Sequence, residues 1–214
     1  MWATENTREA LWDAMERKEV YATSGTRMTV RLFAGWDFTA DDARTRYLAE
    51  VGYAKGVPMG ADLPKATAAG KAPTFLVAAM KDAIGGNLDR IQIVKGWIDK
   101  DGHGQEKVYD VAWGDAERRK IGRNGKLAPV GDTVDVSTAT WADTIGDPEL
   151  VAVWTDPEFD PGLRAFYYAR VIEIPTPRWT CYDAVRFGIQ MSPEVPMKHQ
   201  ERAWSSAIWY TPAQ

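Results

Sequence analysis

Phe166-Tyr-Tyr-Ala-Arg-Val-Ile-Glu-Ile-Pro-Thr-Pro-Arg-Trp179 is the stretch whose reading decides the fold. Phe166, Tyr168, Val171, Ile172 and Ile174 are residue types that suit a pleated, half-buried surface, so the chain reads as a strand from Ala165 to Ile174. Pro175 and Pro177 stop it, because neither donates a ladder hydrogen bond. The sequence then becomes dense in Trp and Arg: Arg178 and Trp179 here, Arg202, Trp204, Trp209 and Tyr210 in the tail. Such a combination can clamp an anion, seal a domain interface or form a Trp-rich lid on a β core.

The same grammar recurs upstream. Val20 and Tyr21 begin an extended segment, and Met28 to Trp36 is a strand in which Val30, Leu32 and Ala34 alternate with Arg31 and Phe33. Thr74–Met80 is a further strand. Leu88–Ile98 and Glu106–Trp113 form a hairpin across Asp99-Lys-Asp-Gly-His-Gly104, with Ile91, Ile93 and Lys95 on one face. Thr133–Trp141, with Val134 and Val136 inward, and Glu149–Trp154 complete the set. About seven short strands separated by Gly, Pro and Asp turns point to an antiparallel sandwich.

Helical signals are confined to the first quarter. Asn6 is a good N-cap with Glu9 three residues on, and Leu11, Ala14, Met15 and Lys18 share a face, which predicts a helix over Thr7–Lys18. Trp12 widens that face, so the helix is expected to dock. Thr39–Tyr53 is helix-tolerant, and its Asp41-Asp42 pair reads as a solvated first turn. The basic run Asp115–Lys126 reads as an exposed loop. The expected fold is therefore mainly β: an antiparallel β-sandwich-like domain preceded by an N-terminal helix and a short α/β lead-in. Residues 1–38 form the helix–strand lead-in and 39–214 the β-rich part.

Composition excludes several classes. With 214 residues, 45% hydrophobic and 26% charged, the chain can bury a sizeable core without staples. A net charge of −4 gives no reason to expect nucleic acid or an anionic membrane as a bulk partner. No apolar run is long enough to span a membrane, and the N-terminus lacks the basic and apolar regions of a signal peptide, so a soluble chain without a leader is expected, its compartment left open. It starts almost directly on a helix cap, as a piece of a longer protein would. Cys181 is the only cysteine, which leaves no intrachain disulfide and no His partner adjacent in sequence.

Recognisable catalytic constellations are missing from the sequence. His103 and His199 are the only histidines, too few for a multi-His metal centre. No phosphate-cradling GxxxxGK[ST] loop, dinucleotide fingerprint or GxSxG elbow occurs. Asp99, Asp101 and His103 lack the remaining ligands of a calcium loop and read as a hairpin tip. What remains is anion chemistry. The turn Ser24-Gly25-Thr26 followed by Arg27 can offer backbone N–H groups and a guanidinium. Arg27, Arg178 and Arg202 are the candidate substrate-binding residues.

Several motifs together resemble one family. They are Glu5-Asn-Thr-Arg-Glu-Ala-Leu-Trp-Asp-Ala14, Glu19-Val-Tyr-Ala-Thr-Ser-Gly-Thr-Arg27, Phe33-Ala-Gly-Trp-Asp-Phe38, Gly56-Val-Pro-Met-Gly60, Asn87-Leu-Asp-Arg-Ile-Gln-Ile-Val-Lys-Gly-Trp97 and Glu106-Lys-Val-Tyr-Asp-Val-Ala-Trp113. Phe159-Asp-Pro161, Ala165-Phe-Tyr-Tyr-Ala-Arg-Val171, Ile174-Pro-Thr-Pro-Arg-Trp179, Gln200-Glu-Arg-Ala-Trp204 and Ile208-Trp-Tyr-Thr-Pro212 continue the match. The chain resembles the Domain of Unknown Function 3604 family, relatives of PHP-type metal-dependent phosphoesterases. The resemblance implies hydrolysis of a phosphoester-type bond by metal-activated water, with a divalent metal in the full-length proteins. Their His- and Asp-rich metal motifs lie upstream of the matched region, so no cofactor is expected in this chain. It looks like the C-terminal portion, with residues 1–38 ending a catalytic region, and inactive alone. Its partner would be that N-terminal region or another subunit, and its substrate a small anion. The alternative is a non-catalytic β-sandwich binding or interaction module.

Overall fold

The computed structural model describes residues 1–66 and 70–212. Helix α1 (Arg8–Glu16) leads into β1 (Tyr21–Thr23), β2 (Thr29–Gly35), a 3-10 helix (Ala40–Arg44), α2 (Leu48–Lys55) and β3 (Gly56–Pro58). The strands β4 (Thr74–Met80), β5 (Leu88–Ile98), β6 (Gly104–Trp113), β7 (Glu149–Thr155) and β8 (Ala165–Glu173) follow. The remainder holds β9 (Thr176–Pro177), α3 (Trp179–Phe187), β10 (Lys198–His199), β11 (Arg202–Ser205) and β12 (Ile208–Tyr210).

One sheet runs β1-β11-β8-β5-β6, with β12 also paired to β8; a second runs β3-β2-β4-β7; β10 and β9 form a ribbon. All these pairings are antiparallel. The two larger sheets share one core, in which Val30, Leu32, Phe75 and Val77 meet Ile91, Ile93, Tyr167 and Val171. The expected antiparallel, mainly β architecture behind an N-terminal helix is therefore present. β1 pairs with β11, and β2 lies between β3 and β4, so residues on both sides of position 38 build the same sheets.

Burial follows the pleat. Along β8 the buried residues are Ala165, Tyr167, Ala169, Val171 and Glu173, each separated by a half-buried one. The last member of this inward series is a carboxylic acid. The outer face of the second sheet is also covered, since Phe33 and Leu76 pack under Phe38, Leu48 and Val51.

Several expectations are corrected. The N-cap is Thr7, not Asn6: its Oγ1 accepts from Ala10 N at 3.3 Å. Helix α1 buries Ala10 and Ala14, whereas Trp12 and Met15 stay exposed. Asp42 is buried rather than solvated, because it accepts from Thr39 N at 2.8 Å and pairs with Lys55 at 2.7 Å. These hydrogen bonds hold its carboxyl below the usual carboxylate range, Lys55 contributing most.

Thr133–Trp141 is not a strand. Asp135 Oδ1 accepts from Ser137 N at 2.9 Å and Asp135 bridges Thr140, so side chains that bond their own backbone close a turn and leave Val136 exposed. The basic run hides one residue: Arg119 is buried and donates to Asp89 Oδ1 at 2.6 Å, Gly114 O at 2.9 Å and Ala128 O at 2.9 Å, tying that loop together. The helix α3, closed by Gly188 in the left-handed conformation (φ 63°), was not expected. Among the described residues there are twelve strands, more than anticipated because short pieces flank the long ones. No described helix is long and apolar enough to cross a membrane.

Candidate functional site

A cleft of about 550 Å³ opens where the first sheet ends against α3. The end of β8 supplies Glu173, and the β9–β10 ribbon supplies Thr176, Pro177 and His199. The turn after β1 brings Gly25, Thr26 and Arg27, and the turn after β4 brings Asp82. Trp141, Trp179 and Tyr182 are its aromatic walls, and Trp179 is largely exposed. Asp82 locks the two turns together: its carboxylate accepts from Arg27 N at 2.7 Å and Ile84 N at 3.2 Å. Those backbone donors, Arg27 N–H first, hold the Asp82 carboxyl below its ordinary range.

Glu173 is fully buried. One carboxyl oxygen accepts from Thr26 Oγ1 at 2.6 Å, and the other is bonded by Gly86 N–H. Burial dominates and pushes its pKa up to about 7; the two hydrogen bonds oppose the rise, and the charges of Glu201 and Asp143 add to it. A carboxylic acid that changes charge near neutrality beside a cleft is a group suited to proton exchange or to gating a ligand's charge.

Glu201 is the second organiser. One of its oxygens lies 3.0 Å from His199 Nε2, and the other is bonded by Ser24 Oγ. A Cβ at Gly25 would meet the Glu201 carboxyl and displace it. The order of groups decides the chemistry. In a nucleophilic triad the imidazole stands between hydroxyl and carboxylate. Here the carboxylate stands between hydroxyl and imidazole, so His199 is not placed to take the Ser24 proton. The arrangement orients side chains and does not activate a nucleophile.

Of the three predicted arginines, only Arg27 lines this cleft. Arg178 sits at the N-cap of α3, its guanidinium 5.8 Å from the Trp179 ring centroid. Arg202 brings its backbone to the site: its N donates to Ser24 Oγ and its O accepts from Ser24 N, both at 2.9 Å, while its side chain is exposed. Sequence reading missed Glu173, His199 and Glu201 as site residues. Glu173 had a signal, since it is the one charged residue in the inward series of β8. The Glu201–Ser24 pair joins positions 177 residues apart and leaves no local pattern.

Among the described residues, Asp99, Asp101 and His103 form the one group of His, Cys, Asp and Glu close enough to share an ion. Asp99 is already engaged in the turn: Oδ1 accepts from Asp101 N at 3.0 Å and His103 N at 2.8 Å, and Oδ2 from Gln105 Nε2 at 2.8 Å. Cys181 is buried, and burial pushes its thiol up, away from the reactive thiolate form.

A family model described as Protein of unknown function (DUF3604) matches residues 1–212. No curated protein and no solved structure matches the chain.

Proposed function

The chain belongs to the DUF3604 family, and on that premise we propose that it is the ligand-holding, non-catalytic β-sandwich part of a metal-dependent hydrolase of phosphoester type. The metal ligands come from outside these 214 residues. The observation that carries this reading is the cleft, which gathers groups that position a ligand, Arg27 with Trp179 and Tyr182; the described trio Asp99, Asp101 and His103 does not line it. Arg27 faces a substrate oxyanion, and Trp179 and Tyr182 flank its organic portion. Asp82 is bonded by Arg27 N–H, Glu201 by His199 and Ser24, and Glu173 holds its proton up to about pH 7. Arg178 and Arg202 support the site from its edge.

The test is an assay of the isolated chain with p-nitrophenyl phosphate, with and without added Mn²⁺ or Zn²⁺. No turnover above the metal-only background is expected. Metal-dependent turnover that disappears in Arg27→Ala would show a complete active site in this chain and end the proposal.

One observation favours a second reading, a free-standing binding module. α3 leaves Trp179, Tyr182, Val185 and Phe187 exposed. Both readings place the ligand in the same cleft. They part in whether a metal-binding polypeptide is needed for turnover.

A further inference from the structure

The outer face of the four-stranded sheet carries a second cavity, of about 520 Å³. Its floor is one cross-strand row, Arg31, Ala78 and Val151 on β2, β4 and β7. The next row, Phe33, Leu76 and Val153, packs with Leu48 and Val51 of α2. Ala78 is too short to fill the space above the floor row. Trp2 forms one wall, and the segment from Ala43 to Ala49 forms another.

The lining is strongly basic. It holds Arg31, Arg44 and Arg46, with the hydroxyls of Thr29 and Thr45, against a single acid, Glu149. Among the described residues, Arg31 and Arg46 make no ion pair. Arg44 has only an exposed contact with Asp41 at 3.4 Å. Arg31 Nη1 is buried with no hydrogen-bond partner, the one such side-chain atom among the described residues. The guanidinium carbon lies 3.6 Å from the Trp2 ring centroid, and Trp2 Nε1 donates to Val30 O at 2.7 Å, so the stacking ring is itself fixed. Glu19, which borders Arg31 in an adjacent cavity, is engaged by Tyr53 and by Arg17, and the Tyr53 hydroxyl also lies beside the Arg31 guanidinium, which leaves Nη1 without a partner.

A buried N–H without an acceptor is costly, and a guanidinium N–H more so than a neutral one. The first turn of α2 opens on the same space: Leu48 and Ala49 line it, and no side chain caps the helix. Free first-turn amides and the helix dipole attract negative charge. We infer that this groove binds a phosphate- or sulfate-type oxyanion through Arg31, Arg44, Arg46 and the first turn of α2. It is a site separate from the cleft, and it needs no part of the hydrolase reading.

The test is the melting temperature of the full chain in sodium phosphate against sodium chloride of equal ionic strength. At about ten times Kd, phosphate raises Tm by roughly 3–5 °C. Arg27→Ala, which removes the cleft's cation, retains the rise, and adding Arg44→Ala/Arg46→Ala, which changes two exposed side chains, to that background abolishes it. No rise in the parent chain, or an equal rise in the triple variant, overturns the site. Sedimentation with phosphatidic-acid vesicles, retained in Arg27→Ala and lost in the triple variant, would assign the oxyanion to a lipid headgroup. A phosphate response without vesicle binding assigns it to a soluble ligand.

Discussion

Asp156→Ala destabilises the protein by about 3–5 kcal/mol, which lowers Tm by roughly 10 °C or more. Asp156 and Lys95 are both buried, and their charged atoms lie 2.6 Å apart. The same carboxylate oxygen accepts from Tyr167 OH at 2.8 Å, the other accepts from Glu158 N at 2.9 Å, and Lys95 also donates to Glu158 O at 2.7 Å. Burial, and then Asp156, push the Tyr167 hydroxyl far above its ordinary range, so it remains a donor at any working pH. Removing the carboxylate strands a buried ammonium and a buried hydroxyl, and that stranding, not the lost attraction, is the dominant cost. Lys95→Met/Asp156→Leu removes both charges and should recover most of the loss. Urea unfolding of the three proteins measures this. A cost below about 1 kcal/mol for Asp156→Ala would mean the pair is hydrated.

Glu173 predicts a pH dependence of opposite sign to that of an ordinary paired carboxylate. Its pKa rises from the usual 4.5 to about 7 on folding. A carboxyl raised in the fold holds its proton more tightly there. Its contribution is therefore intact below about pH 4.5 and is lost as pH climbs through 7. At about 1.4 kcal/mol per pH unit, the ionised side chain costs the fold up to about 3 kcal/mol at pH 8. Glu173→Gln mimics the neutral acid, keeping an acceptor for Gly86 N–H and a polar partner for Thr26. It should match the parent near pH 5 and melt several degrees higher at pH 8. Parallel curves for the two proteins, or a lower-melting variant at pH 8, would contradict the assignment.

The sandwich was legible because its long strands are written in period two. Val30, Leu32 and Ala34 face the core as their alternation requires, and Lys95 shares the buried fate of Ile91 and Ile93. Of the short strands, β1 was legible as the extended segment at Val20 and Tyr21, but β11 and β12 were not: they are four and three residues long, and their pairing comes from distant partners. Helix α3 escaped because it buries only Thr180 and Cys181 and has no side-chain cap, leaving Gly188 as its one stop signal. The site was half legible. Arg27 was found from its turn, but Glu173 looked like one more polar strand residue until its neighbours showed the inward phase. Arg119 and Asp42 show the converse, charged residues that read as solvated and are buried because specific partners receive them.

The most direct test of the central claim is a titration of the ¹⁵N-labelled chain with phenyl phosphate, followed by amide chemical shifts. Progressive shifts are expected at Gly25, Thr26, Arg27 and Trp179, reduced in Arg27→Ala and weaker at pH 8 than at pH 6, where Glu173 keeps its proton. Shifts confined to the segment from Ala43 to Ala49, or none at all, would leave the cleft without its ligand and contradict the proposed function.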